Sequence, residues 1–229
     1  AGVAQVELLD TATCYRSAPA MAGLRSVKIP KHVVESSGIF QLHLKAKATL
    51  GSAAAKDAVK LPPGVEYNMW IAAQGLEVFE EAASLVDAIC PEICNEGTCP
   101  KMKAGPQFTY VWTEDGPKGD LPAAEYMRRV IVQGQRIFQD GEVVPHEDGV
   151  PFPADFEAHM KNLFKRLFRI YAHVYLEHWD DLQKHGLEAH VNYSFKHFLF
   201  FVKEFRLVPD KEMLPLAKLV ASFTGEATN

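Results

Sequence analysis

In the stretch CNEGTC, Cys94 and Cys99 flank a glycine-containing loop that can turn both thiolates toward one point. His173 and His178 repeat that spacing inside RIYAHVYLEHW. Two sulfurs and two imidazole nitrogens are the donors that a tetrahedral structural zinc ion (Zn2+) prefers. A metal held this way would pin an irregular loop onto a helix far along the chain. The spacing equally permits four buried side chains without an ion, since thiols and imidazoles are common in protein interiors. Residues five apart on a helix point about 140° away from each other, so either the ion sits between two directions or the helix loosens locally. Cys90 offers a second pairing with Cys99, although Pro91 beside it favours a plain buried thiol. His190 and His197 are read as packing or partner-contacting residues. A zinc hydrolase is the rival class, but it needs three protein ligands and an open water position. Four candidate ligands would close the shell, and no H-E-x-x-H stretch is present.

The second chemical feature is KRLFR. On a helical wheel Lys165, Arg169 and His173 stack one turn apart, with Arg166 beside them. Like charges at this spacing destabilise a helix by about 0.2–0.5 kcal/mol per pair, which an incoming phosphate would relieve. Charge-assisted hydrogen bonds could then contribute about 1.5–3 kcal/mol each before ordering costs. A solvated basic face, or salt bridges to acids elsewhere in the chain, fits the pattern as well.

The elements that must carry these residues are mostly helical. Phe156, Met160, Leu163, Leu167, Tyr171, Val174 and His178 recur at three- and four-residue steps, which predicts one helix over about 155–184 with a single buried stripe. Lys165 and Arg169 lie opposite that stripe. Asp155 is a plausible N-cap, and Gly186 closes the helix. Other helices are predicted at about 66–90, 123–140, 189–205 and 210–223, the first with Trp70, Ala73, Leu76, Val78, Phe79 and Leu85 on its apolar side. FQLHLKAKATLG suits a further short helix ended by Gly51. The stretch 90–106 is punctuated by proline and glycine and reads as irregular, while QFTYVW alternates like a short strand. The sum is an all-α bundle with one small β element, over residues 40–229, behind a divergent extension at 1–39.

Composition narrows the function. A chain of 229 residues with 48% hydrophobic content can bury one sizeable core. A net charge of −5 disfavours general nucleic-acid binding, so any anion recognition must be local. Its apolar runs are far shorter than the roughly 20 residues of a membrane helix. The acidic first residues lack the pattern of a secretion signal, so a soluble, intracellular protein is expected, cytoplasmic with the nucleus or the mitotic apparatus as alternatives.

KATLGS (47–52), LPPGVEYNMWIA (61–72), CNEGTCPKMKAGPQFTYVW (94–112), GVPFPADF (149–156), LFKRLFRIYAHVYLEHW (163–179) and EAHVNYSFKHFLFFVKEF (188–205) together resemble the Mob family, adaptors and coactivators of NDR/LATS-type kinases. The intact Lys-Arg-x-x-Arg block is most similar to its Mob1-like branch. The resemblance implies a zinc-braced helical bundle with Cys94, Cys99, His173 and His178 as ligands, and no enzymatic activity. It also implies a phosphopeptide pocket at Lys165, Arg166 and Arg169 for segments of upstream Ste20-like kinases or scaffolds. A surface on the first bundle helix, here including Glu66 and Glu77 with Glu80 and Glu81 nearby, would grip the kinase's basic N-terminal extension. Thr49 matches a phosphorylation position. Val65 and Met69 depart from the pattern, standing where such members usually carry acids, and the loop between Trp112 and Ala123 is shorter than usual.

Overall fold

The computed structural model describes residues 56–114, 119–147 and 149–225. The extension at 1–39, the short helix ending at Gly51 and Thr49 all lie outside these residues.

Helix α1 (Tyr67–Ile89) starts where the Glu66 carboxylate accepts from the backbone N–H groups of Asn68 (3.0 Å) and Met69 (2.7 Å). Helix α2 (Ala123–Gln139) crosses it closely. A Cβ on Gly134 would stand 2.2 Å from Phe79 Cε2, so this glycine is what seats the Phe79 ring at the crossing. Between them, β1 (Lys103–Ala104) and β2 (Phe108–Thr109) form an antiparallel hairpin, Lys103 opposite Thr109 and Ala104 opposite Phe108. Gly105 turns its corner at φ +66°, a conformation that glycine adopts without Cβ strain. The strand predicted over QFTYVW is therefore shorter, and two residues of the predicted irregular stretch belong to its partner. Trp112 adds one isolated pairing with Gly119.

Helix α3 (Phe156–Glu177) is the axis of the bundle and packs on α1, α2 and the hairpin. Helix α4 (Trp179–Lys184), helix α5 (Glu188–Glu204), a 3-10 segment (Asp210–Leu216) and helix α6 (Ala217–Thr224) complete the chain. Rings of Phe164, Phe168 and Tyr171 on α3 meet Phe195, Phe198 and Phe201 on α5, with Tyr171 and Phe198 centred 5.0 Å apart. The fold is all-α with one small sheet, as the periodicity predicts.

Four further expectations change. The single helix over 155–184 is two, broken at His178 (φ −128°, ψ 13°). The helix over 210–223 is 3-10 in its first half, where Pro215 lacks the N–H that an α-helical turn needs. The stripe on α3 is also too narrow. Phe164, Arg166, Phe168, Ile170, Ala172 and His173 are buried as well, because a central helix meets neighbours on nearly every side. On α1, by contrast, Ala73 and Leu76 are exposed, while Ile71, Ala72 and Ala82 are buried.

Candidate functional site

The loop carrying the cysteines is held by its own polar groups. Asn95 Oδ1 accepts from the N–H groups of Gly97 (2.9 Å) and Thr98 (3.1 Å), a turn that brings Cys99 back toward Cys94. The carbonyl of Cys99 accepts from Ala123 N at 3.0 Å, tying the loop to the start of α2. Opposite, the break after Glu177 swings His178 round to the side of His173. The helix distortion required by two histidines five residues apart is thus present, at the second histidine.

All four side chains are buried, and their ligand atoms lie within 4.8 Å of one another. Cys94 Sγ to His173 Nε2 and Cys99 Sγ to His178 Nε2 are each 3.4 Å, and the two Nε2 atoms are 3.2 Å apart. A tetrahedral ion with metal–sulfur bonds of about 2.3 Å and metal–nitrogen bonds of about 2.0–2.1 Å would set these separations at about 3.6 and 3.3 Å. The site therefore fits a metal ion almost without adjustment. His173 Nδ1 donates to the Lys103 carbonyl at 2.7 Å, which leaves its Nε2 lone pair facing the cluster. Asp181 lies 3.8 Å from His178 Nδ1. Burial pushes His173 down to about 4 and lowers His178 also, so both are neutral, the ligating form. Contact with Cys90 and burial push the Cys94 thiol up, and burial raises Cys99. Thiols this reluctant to ionise need a cation beside them to become ligands. Four ligands leave no open coordination position, which removes the basis of the hydrolase alternative. Cys90 is a partly buried free thiol, as expected.

Lys165, Arg166 and Arg169 do not form one open patch. Arg166 is 5% exposed and donates to the carboxylate of Glu114 and, at 3.1 Å, to Gln133 Oε1. Its guanidinium lies 4.8 Å from the Trp112 ring centre. Arg169 donates to the Tyr126 hydroxyl at 3.1 Å and to Glu212 at 3.3 Å, and stacks 4.9 Å from Tyr110. Two of the three cations are thus paired with distant acids of the same chain. Lys165 has no hydrogen bond or ion pair among the described residues and lines a neighbouring groove. A fourth cation joins the cluster: Arg129 pairs with Glu125 at 2.8 Å and lies 5.8 Å from Trp112. Arg129 Nη1, Arg166 Nε and Arg169 Nε are buried without an acceptor among the described residues. Glu114 accepts from Asn162 at 2.8 Å as well as from Arg166 and Gln133. Spacing gives no hint of Glu114, Arg129 or Glu212, because only the fold brings them to KRLFR.

On α1, Glu66 and Glu77 lie three turns apart on one side, and both are exposed, with Glu80 exposed on the same side. Glu66 is engaged as the helix cap. Met69 (51% exposed) and Leu76 (39%) make the same face partly apolar. Glu81 is turned inward and accepts from His197 at 3.1 Å, so it adds nothing to that face.

A buried sulfur–imidazole cluster staples a loop and a hairpin to the axial helix of an all-α bundle, beside aromatic-stacked arginines. These features define a helical bundle with a buried Cys2His2 site able to hold a metal ion. The chain matches the Mob1/phocein family over residues 47–216. It is 41% identical over 191 residues to the MOB kinase activator-like 1 homolog B of Dictyostelium discoideum, covering 82% of this chain and 88% of that protein. It is 39% identical over 186 residues to the maintenance of ploidy protein mob1 of Schizosaccharomyces pombe, covering 80% and 88% respectively. A MOB kinase activator-like 1B of Medicago sativa is 38% identical over 186 residues, covering 80% and 86%. The chain belongs to the Mob1/phocein family, which is not an enzyme family. No helix among the described residues is long and apolar enough to cross a membrane.

Proposed function

We propose that this chain is a non-enzymatic adaptor that coactivates a protein kinase of the NDR/LATS type in the cytoplasm. In this reading the arginine cluster takes a phosphorylated segment of an upstream Ste20-like kinase or scaffold. The outer face of α1 takes the basic N-terminal extension of the activated kinase, and the ion in the sulfur–imidazole site is a structural Zn2+. Relatives named as kinase activators support the kinase part. The observation that carries the phosphopeptide part is the set of three buried guanidinium nitrogens, Arg129 Nη1, Arg166 Nε and Arg169 Nε, that lack an acceptor among the described residues. Each such donor costs about 1–3 kcal/mol, and a phosphate brings several acceptor oxygens to one place.

Glu114 and Glu212 already lie on two of these arginines, so an arriving phosphate competes with resident carboxylates. A phosphate carrying a charge of about −1.5 to −2 has the advantage over either one. On α1, Glu66 and Glu77 attract a basic segment, while the aliphatic stems of its lysines and arginines cover Met69 and Leu76.

Calorimetry with a phosphothreonine peptide and its unphosphorylated twin tests the reading. The double variant Lys165→Ala, Arg169→Gln, with its melting midpoint followed in parallel, is expected to lose the preference for the phosphorylated form. Glu114→Gln is expected to strengthen it by removing the competing charge. A wild-type protein without preference, or a double variant that keeps it, overturns the assignment.

A further inference from the structure

Beside the arginine cluster, a groove of about 790 Å3 runs between α3, the end of α5 and the start of the 3-10 segment. Lys161, Lys165, Lys203 and Arg206 line it, and among the described lining residues Asp210 alone is acidic. In a chain of net charge −5 this is a local reversal of sign. Lys161 is held by Glu157 at 2.7 Å, whereas the side chains of Lys165 and Arg206 have no hydrogen bond or ion pair among the described residues. Val202, Leu207 and Val208 give the groove an apolar floor.

Arg206 occupies an unusual backbone position. It follows the C-cap of α5 with φ +53°, the single positive-φ residue other than glycine among the described residues. Leu207 N donates to Val202 O (2.9 Å) and Arg206 N to Lys203 O (3.4 Å), the paired bonds of a helix-ending turn whose left-handed residue is usually glycine. Any side chain with a Cβ is disfavoured there by the backbone, so local stability does not account for arginine. The residue lines the groove instead, and it is exposed.

We propose that this groove binds an acidic stretch next to the phosphorylated residue of the docked segment. The recognised partner is then a phosphopeptide whose flanking residues are carboxylates or a second phosphate. Lys165 joins the two regions, standing one helical turn before Arg169 on α3. A segment seated on Arg169 passes over Lys165 into the groove, where its acids meet Lys161, Lys203 and Arg206 and its apolar side chains meet the floor. The inference rests on the phosphopeptide reading for its register, while the groove's charge stands independently of it.

The test uses fluorescence anisotropy with four labelled peptides, phosphorylated or not, and flanked by Asp and Glu or by Ser and Gly. Wild type is expected to bind the acidic-flanked phosphopeptide at least about fivefold tighter than the neutral-flanked one. Arg206→Gly suits the left-handed turn, so its melting midpoint is expected to stay level or rise. The same variant is expected to lose about two- to fivefold in affinity for the acidic-flanked peptides alone. Equal binding of both flank types by wild type overturns the proposal. So does an Arg206→Gly that weakens neither type, or both alike. If phosphorylation has no effect but acidic flanks still tighten binding through Arg206, the groove is upheld and the phosphopeptide reading fails. Arg206-dependent binding to phosphatidylserine vesicles without a preference for acidic peptides overturns the proposal in favour of a membrane surface.

Discussion

Replacing Arg166 by alanine separates a structural from a recognition role for the KRLFR block. The change removes the ion pair with Glu114, the bond to Gln133 and the stack on Trp112. Charge-assisted bonds contribute about 1.5–3 kcal/mol each, and a guanidinium over an indole about 0.5–2 kcal/mol. These terms share one side chain and do not add. The Glu114 side chain is 30% exposed, so water recovers part of its solvation once the arginine is gone. The net loss expected is about 2–3 kcal/mol, or a drop of about 4–12 °C in melting midpoint for a chain of this size. Circular dichroism melts give the midpoint, and tryptophan fluorescence in urea reports on the environment of Trp112. Lys165→Ala, one residue away, is expected to stay within about 0.5 kcal/mol of wild type. In a double-mutant cycle with Glu114→Gln, a coupling of about 1 kcal/mol or more is expected. An Arg166→Ala midpoint within about 2 °C of wild type, or an equal loss for Lys165→Ala, would refute the argument from burial.

Three further outcomes follow from the packing. Chelation or Cys99→Ser is expected to lower the melting midpoint by more than about 10 °C, with one metal per chain in the intact protein by emission spectroscopy. An unchanged melt in metal-free protein would show the site to be dispensable. Burial pushes His197 down, but its hydrogen bond to and charge attraction for Glu81 outweigh this and raise it above its ordinary value of 6.5. Stabilisation by a raised histidine is complete below about pH 6.5 and is lost as pH rises through the folded-state pKa. Wild-type melting midpoints should therefore fall more steeply than those of Glu81→Gln as pH rises above about 6.5, and parallel slopes would contradict the pairing. Gly134→Ala is expected to cost about 1–3 kcal/mol in urea denaturation, because its Cβ would overlap Phe79, although alanine is the better helix former. A stabilised variant would mean the crossing of α1 and α2 can open.

How far these sites were legible in the sequence depended on the range of the forces that make them. Cys94, Cys99, His173 and His178 were readable because ligand chemistry restricts the residue types and spacing exposes the pairs. Even the break at His178 followed from the angle between two positions on a helix. The inward turn of Arg166 was not readable. A wheel with one apolar stripe assigns it to solvent, and only a central helix, with a carboxylate arriving from the loop after Trp112, makes its burial affordable. Glu81 likewise counted as surface charge until His197, on α5, was found opposite it. On α1 the aliphatic residues Ala73 and Leu76 misled for the opposite reason, since hydrophobicity does not by itself say which side a neighbour will cover. The hairpin's second strand was legible in the alternation of QFTYVW, whereas the first, Lys103–Ala104, carries too little pattern to detect.

The sulfur–imidazole cluster joins positions 79 residues apart in the chain. A cross-link over that span removes loop-closure entropy from the unfolded chain, worth about 4–5 kcal/mol by the usual polymer estimate if the link is permanent. It also imposes an order in time. During synthesis the two thiols emerge long before either imidazole, so the complete ligand set exists only once α1, α2 and all of α3 have been made. Where an ion occupies the cluster, its capture is then a late, locking event, and a chain that lost it after release would have to bring distant segments together again without that restraint.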